Sequence, residues 1–495
     1  MEIKPFTSEF DDYLRDESRR CGSATHIVFA KDEADVQGAL AAAREKVWNV
    51  TIQGARTGVS AGAVPEGGLI LNLSRMKKIG AVQNSGCITV QPGALLREIQ
   101  TVAGVQNLFF PPDPTETSAS IGGMLANNAS GALSFHYGPT RNWVNALRVV
   151  LADGDIVRLE RGQKADGRRF SLVTEGGRTI NGELPNLKMP PVKNAAGYFI
   201  KPDMELIDLF IGMEGTLGVI TEVELKLIAV PPVQQALCAF FPDEQSALRF
   251  VRFLRGKDRS TVSCPPVAIE FFDVRVLTLL RRAKAENPAF AELPELPAHF
   301  NTAIYFEFHS GSEDAVELAV MSAAEQIEAL GIGENDCWFA SNAKEIEIMK
   351  KFRHATPEAV NLLIDERRKK YPGLTKLGTD MSVPDSAMEE IMSIYHAGLS
   401  AAGLEYVIFG HIGNSHVHVN ILPRNMDDYE NGKALYLEWA GKVTALGGSV
   451  SAEHGIGKIK APLLRQMFGE DGIREMKKLK HLFDPEGRLN PGNLF

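Results

Sequence analysis

Histidines are concentrated in one apolar stretch of this chain. Three of its eleven histidines, His411, His416 and His418, fall within eight residues of the segment YVIFGHIGNSHVHVNILP, residues 406–423. The segment predicts a strand, a glycine-containing turn and a second strand, with His411 before the turn and the other two after it. Because side chains alternate along a strand, His416 and His418 can share one face. A single histidine is more often a structural group, but three in so apolar a setting favour a metal-binding or catalytic role.

A carboxylate and a fourth imidazole are adjacent further along the chain, at Glu453 and His454 in the segment SAEHGIG, residues 451–457. Adjacent side chains need not point the same way, so one can bind a metal while the other faces a substrate. Neutral imidazoles together with one carboxylate suit a divalent transition metal such as Zn²⁺, Mn²⁺, Co²⁺ or Fe²⁺.

Length, charge and cysteine content exclude several classes of protein. A chain of 495 residues and 54.1 kDa is long enough for two or three domains. A net charge of -9 and a pI near 5.8 disfavour a nucleic-acid-binding surface. The five cysteines are scattered without a CxxC pair, which favours free thiols in a reducing compartment and excludes a cysteine-ligated iron–sulfur cluster.

The N-terminal segment MEIKPFTSEFDDYLRDESRR is charged and lacks the apolar centre of a secretory signal. No run of the sequence approaches the roughly 18 apolar residues of a membrane span. We therefore expect a cytoplasmic protein, and docking to a membrane through a partner stays open.

Short strands alternate with helices along the chain. Strands are expected at 25–31, 47–52, 69–73 and 87–90, helices at 32–43 and 94–102, and a hairpin at 147–151 and 157–159. A domain boundary is expected at Pro231-Pro232. Beyond it, strands at 238–241, 269–272 and 302–308 and helices at 244–254 and 313–330 indicate a second domain of mixed strands and helices.

Residues 111–144 combine prolines, glycines and asparagines with core-sized apolar side chains. The glycines and prolines oppose one long helix, and the apolar groups oppose a disordered linker, so we expect an ordered loop and turn system. Two further glycine clusters lie at 54–68 and 212–218. One such cluster is most often only a turn, but three let backbone amides approach a phosphate-bearing cofactor. None has the context of a GxGxxG nicotinamide site or of a P-loop.

Seven short motifs follow one another in a characteristic order: residues 53–63, Pro111-Pro112-Asp113-Pro114, Ile121-Gly122-Gly123, Asn127-Asn128-Ala129, Tyr137-Gly138, Glu214-Gly215-Thr216-Leu217-Gly218 and Leu489-Asn490-Pro491-Gly492. In these motifs and their order, the chain resembles the FAD-binding oxidoreductases of the vanillyl-alcohol oxidase/p-cresol methylhydroxylase type. The resemblance covers nearly the whole chain. The resemblance implies an α+β fold, with a two-part FAD-binding domain of the p-cresol methylhydroxylase type and an α+β substrate or cap domain that has an antiparallel sheet. We place the FAD-binding domain at 1–230, the cap domain at 231–450, and a C-terminal segment that returns to the FAD domain at 451–495.

In that family the first glycine loop wraps the FAD pyrophosphate, residues 113–138 lie along the pyrophosphate, ribityl chain and isoalloxazine, and residues 212–221 face the adenine end. The resemblance therefore implies a set of FAD-binding residues: Gln53, Gly54, Ala55, Arg56, Thr57, Gly58, Ser60, Ala61, Pro112, Asp113, Ser118, Gly122, Gly123, Asn127, Ala129, Ser130, Gly131, Tyr137, Glu214, Gly218, Ile220 and Asn490.

The first glycine loop departs from the family pattern. The usual Arg/Gly-Gly-Gly-Thr-Gly is replaced by Gln53-Gly54-Ala55-Arg56-Thr57-Gly58. Two positions of Arg56 stay open, one in contact with a phosphate and one pointing to solvent. Since the loop contains no histidine, we expect FAD to be bound non-covalently.

The resemblance extends to the D-2-hydroxy-acid dehydrogenase branch, which includes D-lactate dehydrogenase, the glycolate oxidase large subunit and D-2-hydroxyglutarate dehydrogenase. It implies His411, His418 and Glu453 as metal ligands, with Zn²⁺ or Mn²⁺ as the first candidates, and His454 as the catalytic base. The turn is usually Asp-Gly-Asn but here is Asn414-Ser415-His416, so His416 is open as a ligand, an outer residue or a substrate contact.

Two cations are further catalytic candidates, because a substrate carboxylate favours a fork-shaped cation. Arg353 stands where relatives carry such an arginine, and Lys376 is the second candidate. Each also fits a structural or solvated charge.

The expected function is FAD-dependent oxidation of a D-2-hydroxy acid (D-lactate, glycolate or D-2-hydroxyglutarate) to the 2-oxo acid, with the proton going to His454 and hydride to flavin N5. An alkylglycerone-phosphate-synthase-like transferase is one alternative, which the pairing of His411 with Glu453 disfavours. A flavoprotein subunit of a larger electron-transfer assembly is another, which the complete acid–base and metal set disfavours.

The partners expected from the sequence are a small 2-hydroxy acid and an electron acceptor other than NAD. With no iron–sulfur ligands, electrons must pass to a quinone, a cytochrome, an electron-transfer flavoprotein, a partner redox subunit or oxygen. A homodimer also stays open.

Overall fold

The computed structural model describes residues 1–256 and 264–495. Within these ranges the strands are β1 (Lys4–Pro5), β2 (His26–Phe29), β3 (Val50–Gln53), β4 (Leu69–Asn72), β5 (Ile79–Val82), β6 (Cys87–Val90), β7 (Leu108–Phe109), β8 (Val144–Val150), β9 (Ile156–Glu160), β10 (Arg169–Val173), β11 (Thr179–Glu183), β12 (Val219–Lys226), β13 (Ile228–Ala229), β14 (Val233–Phe241), β15 (Pro266–Phe272), β16 (Thr302–Ser310), β17 (Cys337–Ala340), β18 (Leu377–Gly378), β19 (Met381–Ser382), β20 (Tyr406–Gly410) and β21 (His416–Ile421).

The α-helices within the same ranges are α1 (Glu33–Lys46), α2 (Leu96–Gly104), α3 (Ile121–Asn127), α4 (Ser134–Tyr137), α5 (Glu244–Arg255), α6 (Val274–Glu286), α7 (Glu313–Ala329), α8 (Ala343–Arg368), α9 (Met388–Ala402), α10 (Met426–Ala445) and α11 (Ala461–Phe483). Short 3-10 helices include Ser8–Leu14, Thr140–Trp143 and Ile412–Asn414.

The chain divides into two units. Unit 1 consists of Met1–Ser130, Gly138–Val230 and Ser449–Phe495, and unit 2 of Gly131–Tyr137 and Pro231–Gly448. The boundaries expected from the sequence put residues 131–137 in the first domain. They belong to unit 2 because Leu133 is buried against Val267 and Ala268 at β15.

Unit 1 contains a four-stranded sheet of order β1-β2-β4-β3 and a five-stranded sheet of order β5-β6-β12-β8-β9. In the first, β2, β4 and β3 run parallel, and α1 buries one face against them. Helix α1 begins where the sequence predicts, since the Asp32 carboxylate accepts a hydrogen bond from the Asp35 amide at 2.9 Å. In the second, β8 and β9 form the predicted hairpin.

Unit 2 is built on an eight-stranded sheet of order β17-β14-β16-β15-β20-β21-β18, with β19 paired to β21. The paired strands are antiparallel throughout. Helices α6 and α8 cover one face with a large apolar core. The predicted α+β class and the predicted antiparallel sheet of the second domain are thus confirmed.

Residues 111–144 form no long helix, as expected from the sequence. They contain the short helices α3 and α4 and the 3-10 helix Thr140–Trp143, separated by turns. None of the described helices is long and apolar enough to cross a bilayer. All five cysteines are free.

Candidate active site

The register of the unit 2 sheet places a row of polar side chains on one face. His416 and His418 lie two residues apart on β21, so they share that face. His418 is opposite Phe409 on β20, and β20 ends at Gly410, directly before His411. On β15, Phe271 pairs with Gly410, which brings Glu270 beside His411.

The three histidines form a close cluster. Their ring centroids are separated by 5.4 Å for His411 and His416, 5.8 Å for His411 and His418, and 4.5 Å for His416 and His418. One ring nitrogen of each lies within 4.8 Å of one ring nitrogen of the other two. This spacing allows all three imidazoles to share a single ion.

An oxygen atom lies within 3.1 Å of one ring nitrogen in each imidazole of the cluster. His411 Nδ1 lies 2.7 Å from Glu270 Oε1, and His418 Nδ1 lies 2.9 Å from the Thr379 carbonyl oxygen. His416 Nε2 lies 3.1 Å from Asp380 Oδ1, and both of these side chains are fully buried. Such outer carboxylates and carbonyls are the usual companions of metal-binding histidines. With Nδ1 engaged, Nε2 is the ligand atom that His411 and His418 offer.

The turn between the two histidine strands is held firmly. Ser415 has a left-handed φ of 50°. Its hydroxyl donates to Asp385 Oδ1 at 2.9 Å and accepts from Arg255 Nη1 at 2.9 Å. Gly410 has a φ of +129°, and a Cβ there would lie 2.8 Å from His418 Cδ2. Glycine at this position therefore allows β20 to lie directly beside the His418 ring.

The sequence analysis did not predict a role for Glu270, Thr379 or Asp380 at this site. A usable signal exists for Glu270, because it is the one charged residue in the apolar strand PVAIEFF and is only 4% exposed. A lone carboxylate in a buried strand requires a polar partner. Thr379 and Asp380 directly precede β19, and they reach His418 and His416 because the fold pairs β19 with β21.

The predicted ligand Glu453 lies in unit 1, where it forms a buried ion pair. Lys193 Nζ lies 2.5 Å from Glu453 Oε2, and the Ser130 hydroxyl donates to the same oxygen at 3.2 Å. His454 Nε2 lies 3.6 Å from Glu453 Oε1, so these adjacent side chains turn toward each other. The sequence analysis did not identify Lys193, although a lysine directly before the small uncharged run NAAGY is a signal of this kind.

The predicted cofactor-binding residue Glu214 joins two segments of unit 1. Its buried carboxylate accepts hydrogen bonds from the Ile456 amide at 2.6 Å and the Gly457 amide at 2.7 Å. Burial raises the pKa of Glu214 to about 7, against the lowering effect of these two donors. Asn490 Nδ2 donates to the Glu214 carbonyl, and its Oδ1 accepts from the Ile52 amide. These side chains thus fix the C-terminal segment within unit 1.

The first glycine loop of unit 1 lies against the start of α3. The Gln53 side chain donates to the Tyr13 and Ala63 carbonyls, both at 2.8 Å, and closes the loop. The Ala55 amide donates to Ser120 Oγ at 3.1 Å. A Cβ at Gly54 would lie 2.1 Å from the same Ser120 Oγ, so a larger residue there would displace the Ser120 hydroxyl from this contact.

The sequence left open whether the Arg56 side chain contacts a phosphate or points to solvent. In the structure this side chain packs against residues near the N-terminus. The guanidinium carbon of Arg56 lies 4.3 Å from the centroid of the Tyr13 ring, and Nη1 donates to the Asp12 carbonyl. The arginine is therefore engaged by the N-terminal 3-10 helix Ser8–Leu14. Its backbone has a left-handed φ of 63°.

The remaining predicted FAD residues are distributed over both units. Gly131 and Tyr137 belong to unit 2, and the Tyr137 hydroxyl contacts His309 Nδ1 at 2.9 Å. The others belong to unit 1: Thr57, Gly58, Ser60, Ala61, Pro112, Asp113, Ser118, Gly122, Gly123, Asn127, Ala129, Ser130, Gly218 and Ile220.

The two predicted cations of the substrate site both lie in unit 2. Arg353 is in the middle of α8, only 9% exposed, with Nη1 3.9 Å from Glu307 Oε1. Lys376 is partly buried and directly precedes β18, which pairs with the end of β21.

Comparison with known proteins places these features in a family. The model for the C-terminal domain of FAD-linked oxidases matches residues 230–494, more than half of the chain, and that for an FAD-binding domain matches residues 24–160. The chain belongs to the FAD-linked oxidase family. It is an FAD-linked oxidoreductase.

Relatives of known name span almost the whole chain. D-2-hydroxyglutarate dehydrogenase of Xanthomonas citri pv. viticola is 31% identical over 100% of this chain and 94% of its own length. D-lactate dehydrogenase of Anaerostipes hadrus is 29% identical over 98% of this chain and 92% of its own length. The solved structure of an alkyldihydroxyacetonephosphate synthase matches with a TM-score of 0.67 and 16% identity, over 99% of this chain and 82% of that chain. At this identity the match shows a shared fold alone.

Proposed function

We propose that this oxidoreductase uses FAD to oxidise a D-2-hydroxy acid (D-lactate, glycolate or D-2-hydroxyglutarate) to the 2-oxo acid, with a divalent metal ion at the histidine cluster. The observation that carries the proposal is the gathering of His411, His416 and His418 on one sheet face, each with an oxygen atom beside one ring nitrogen. The names of the two relatives support the substrate class, since both act as dehydrogenases of D-2-hydroxy acids.

The chemistry of the donor set fits a metal. Three imidazoles that lie this close, in a largely buried setting, suit Zn²⁺ or Mn²⁺, and also Co²⁺ or Fe²⁺. His411 and His418 are the proposed ligands, and the position of His416 favours it as a third. The role of Glu453 as a ligand stays a prediction, which the Glu453→Gln variant tests by its metal affinity.

The donor set of unit 1 also fits FAD. The loop at residues 53–58 and the glycine pair Gly122-Gly123 lie next to each other, joined through Ser120, so their backbone amides can serve one diphosphate. Since no histidine occurs in this loop, FAD is proposed to be non-covalent. When bound, FAD supplies the acceptor for the hydride from the substrate α carbon.

The residues of the chain have separate tasks in the proposed reaction. His454, whose side chain is 37% exposed, accepts the proton of the substrate hydroxyl. His411 and His418 would hold the metal ion, which would lower the pKa of that hydroxyl. Arg353 binds the substrate carboxylate through its planar guanidinium, and Lys376 is a second cation for the same task.

The proposed electron acceptor is one other than NAD, since none of the three glycine clusters has the sequence context of a GxGxxG nicotinamide site. A quinone, a cytochrome, an electron-transfer flavoprotein, a partner redox subunit and oxygen are all candidates.

Flavin absorbance tests the proposal directly. Purified protein is mixed anaerobically with D-lactate, glycolate, D-2-hydroxyglutarate and L-lactate in turn, before and after EDTA. We expect one of the first three acids to bleach the flavin band, EDTA to abolish the bleaching, and Zn²⁺ or Mn²⁺ to restore it. If flavin is bound but no 2-hydroxy acid bleaches it, the proposed oxidation is wrong.

A further inference from the structure

A second buried polar group lies on the same sheet face as the histidine cluster. Tyr305, Glu307 and His309 occupy alternate positions on β16, so their side chains point to one side of the sheet. Glu307 is only 2% exposed in a strand that is otherwise largely apolar. A carboxylate so deeply buried must be compensated by donors and cations.

Glu307 is the centre of a connected polar network within unit 2. The Tyr305 hydroxyl donates to Glu307 Oε1, and His309 Nε2 lies 3.2 Å from Glu307 Oε2. Arg353 Nη1 on α8 lies 3.9 Å from Glu307 Oε1, and the guanidinium carbon lies 5.2 Å from the centroid of the Tyr305 ring. Arg353 is therefore held from two sides, by a carboxylate and by an aromatic ring.

The surroundings of Glu307 favour its negatively charged form. Burial alone would raise its pKa, but the hydrogen bond with His309 and the positive charges of Lys350 and Arg353 lower the pKa to about 2. The negative charge consequently attracts the Arg353 guanidinium throughout the physiological pH range. Their 3.9 Å separation is longer than a hydrogen bond, so Glu307 neutralises the guanidinium without forming a bidentate pair with it.

The network adjoins the histidine cluster in the sheet. Tyr305 on β16 is paired with Glu270 on β15, and Glu270 contacts His411. Neighbouring strands are about 4.8 Å apart. Glu270, which contacts His411, and Tyr305, which packs against Arg353, are therefore one strand spacing apart. An anion recognised by Arg353 would thus lie near a metal bound at the histidines.

We propose that Glu307 is a positioning residue that, with Tyr305, fixes the Arg353 guanidinium for the carboxylate of the substrate. The inference rests on the proposed function in that Arg353 receives this carboxylate. Glu307 itself does not touch the substrate. It sets the affinity for a carboxylate and not the rate of the redox step.

Affinity for the 2-oxo acid products tests this role without turnover. Titration calorimetry of the oxidised, FAD-bound protein with pyruvate and with 2-oxoglutarate gives the Kd of wild type and Glu307→Gln. Since the ion pair that holds the Arg353 guanidinium in place is lost, we expect Glu307→Gln to raise the Kd about 10- to 100-fold. With a substrate that turns over, KM should rise by a similar factor, while kcat should change less than about threefold.

Asp273→Asn is a matched control. Asp273 is also a buried carboxylate of unit 2, but it caps α6, a task that asparagine performs equally well. Its Kd should remain within about twofold of wild type. Tyr305→Phe keeps the charge of Glu307 but removes the hydrogen bond that Tyr305 donates to it, and it should raise the Kd about 3- to 10-fold above wild type. An unchanged Kd in this variant would contradict the role of Tyr305, so the test remains if Glu307→Gln does not fold.

A double variant separates positioning from a general structural effect. If Glu307 acts through Arg353, then Glu307→Gln combined with Arg353→Met should have the same Kd as Arg353→Met alone. Additive effects, or an unchanged or tighter Kd in Glu307→Gln, would overturn the inference and leave the proposed function intact. A wild-type protein that binds no 2-oxo acid and oxidises no 2-hydroxy acid would overturn both.

Discussion

Glu270 provides a sharp test of the proposed metal site, because it touches a proposed ligand and lies behind it. Its Oε1 atom is 2.7 Å from His411 Nδ1, and the side chain is buried in β15. Glu270→Gln keeps the shape of the side chain but removes its negative charge, so it weakens the hold on the imidazole. Loss of an outer partner of a metal-binding histidine typically lowers metal affinity about 10- to 100-fold, which corresponds to about 1.4 to 2.7 kcal/mol.

Competition titration measures the effect directly. The protein is stripped of metal with EDTA, desalted, and titrated with Zn²⁺ or Mn²⁺ against a chromophoric chelator of known affinity. Wild type should bind one equivalent, and Glu270→Gln should bind the same number more weakly by the factor given above. Because the readout is metal binding, the result does not depend on which substrate the enzyme accepts.

Glu244→Gln is the matched control for this experiment. Glu244 Oε2 lies 2.9 Å from His396 Nε2, so it forms the same kind of carboxylate–histidine contact elsewhere in unit 2. Its removal should leave the metal affinity unchanged. Equal weakening by the two variants, or no weakening by Glu270→Gln, would contradict the metal site at His411.

Two further predictions concern His416 and Glu214. His416→Asn should weaken metal binding in the same titration at least as much as Glu270→Gln if His416 is a ligand, and an unchanged affinity would assign it another role. The pKa of Glu214 is raised to about 7 by burial, above its ordinary value of 4.5. Its contribution to stability is therefore complete below pH 4.5 and lost as pH rises through 7, by up to about 3 kcal/mol. Urea unfolding between pH 4.5 and 7.5 should show wild type losing stability relative to Glu214→Gln, and parallel pH profiles would refute the assignment.

The segment around the histidines shows how far sequence patterns reach. The expected strand–turn–strand agrees with β20, the 3-10 turn Ile412–Asn414 and β21 within a residue or two. The shared face of His416 and His418 follows from strand alternation alone. The residues that orient these imidazoles could not be predicted, because Glu270 and Asp380 reach them only through the pairing of strands that are distant in sequence.

The sequence by itself determined the family, the cofactor class, the α+β architecture and most element positions, since glycine spacing and hydrophobic periodicity are local signals. Only the tertiary structure decided the placement of residues 131–137 in unit 2, the ion pair of Lys193 with Glu453, and the network around Glu307. In each case a buried charge or apolar group requires a partner, and the partner is chosen by packing between segments that the linear chain does not connect.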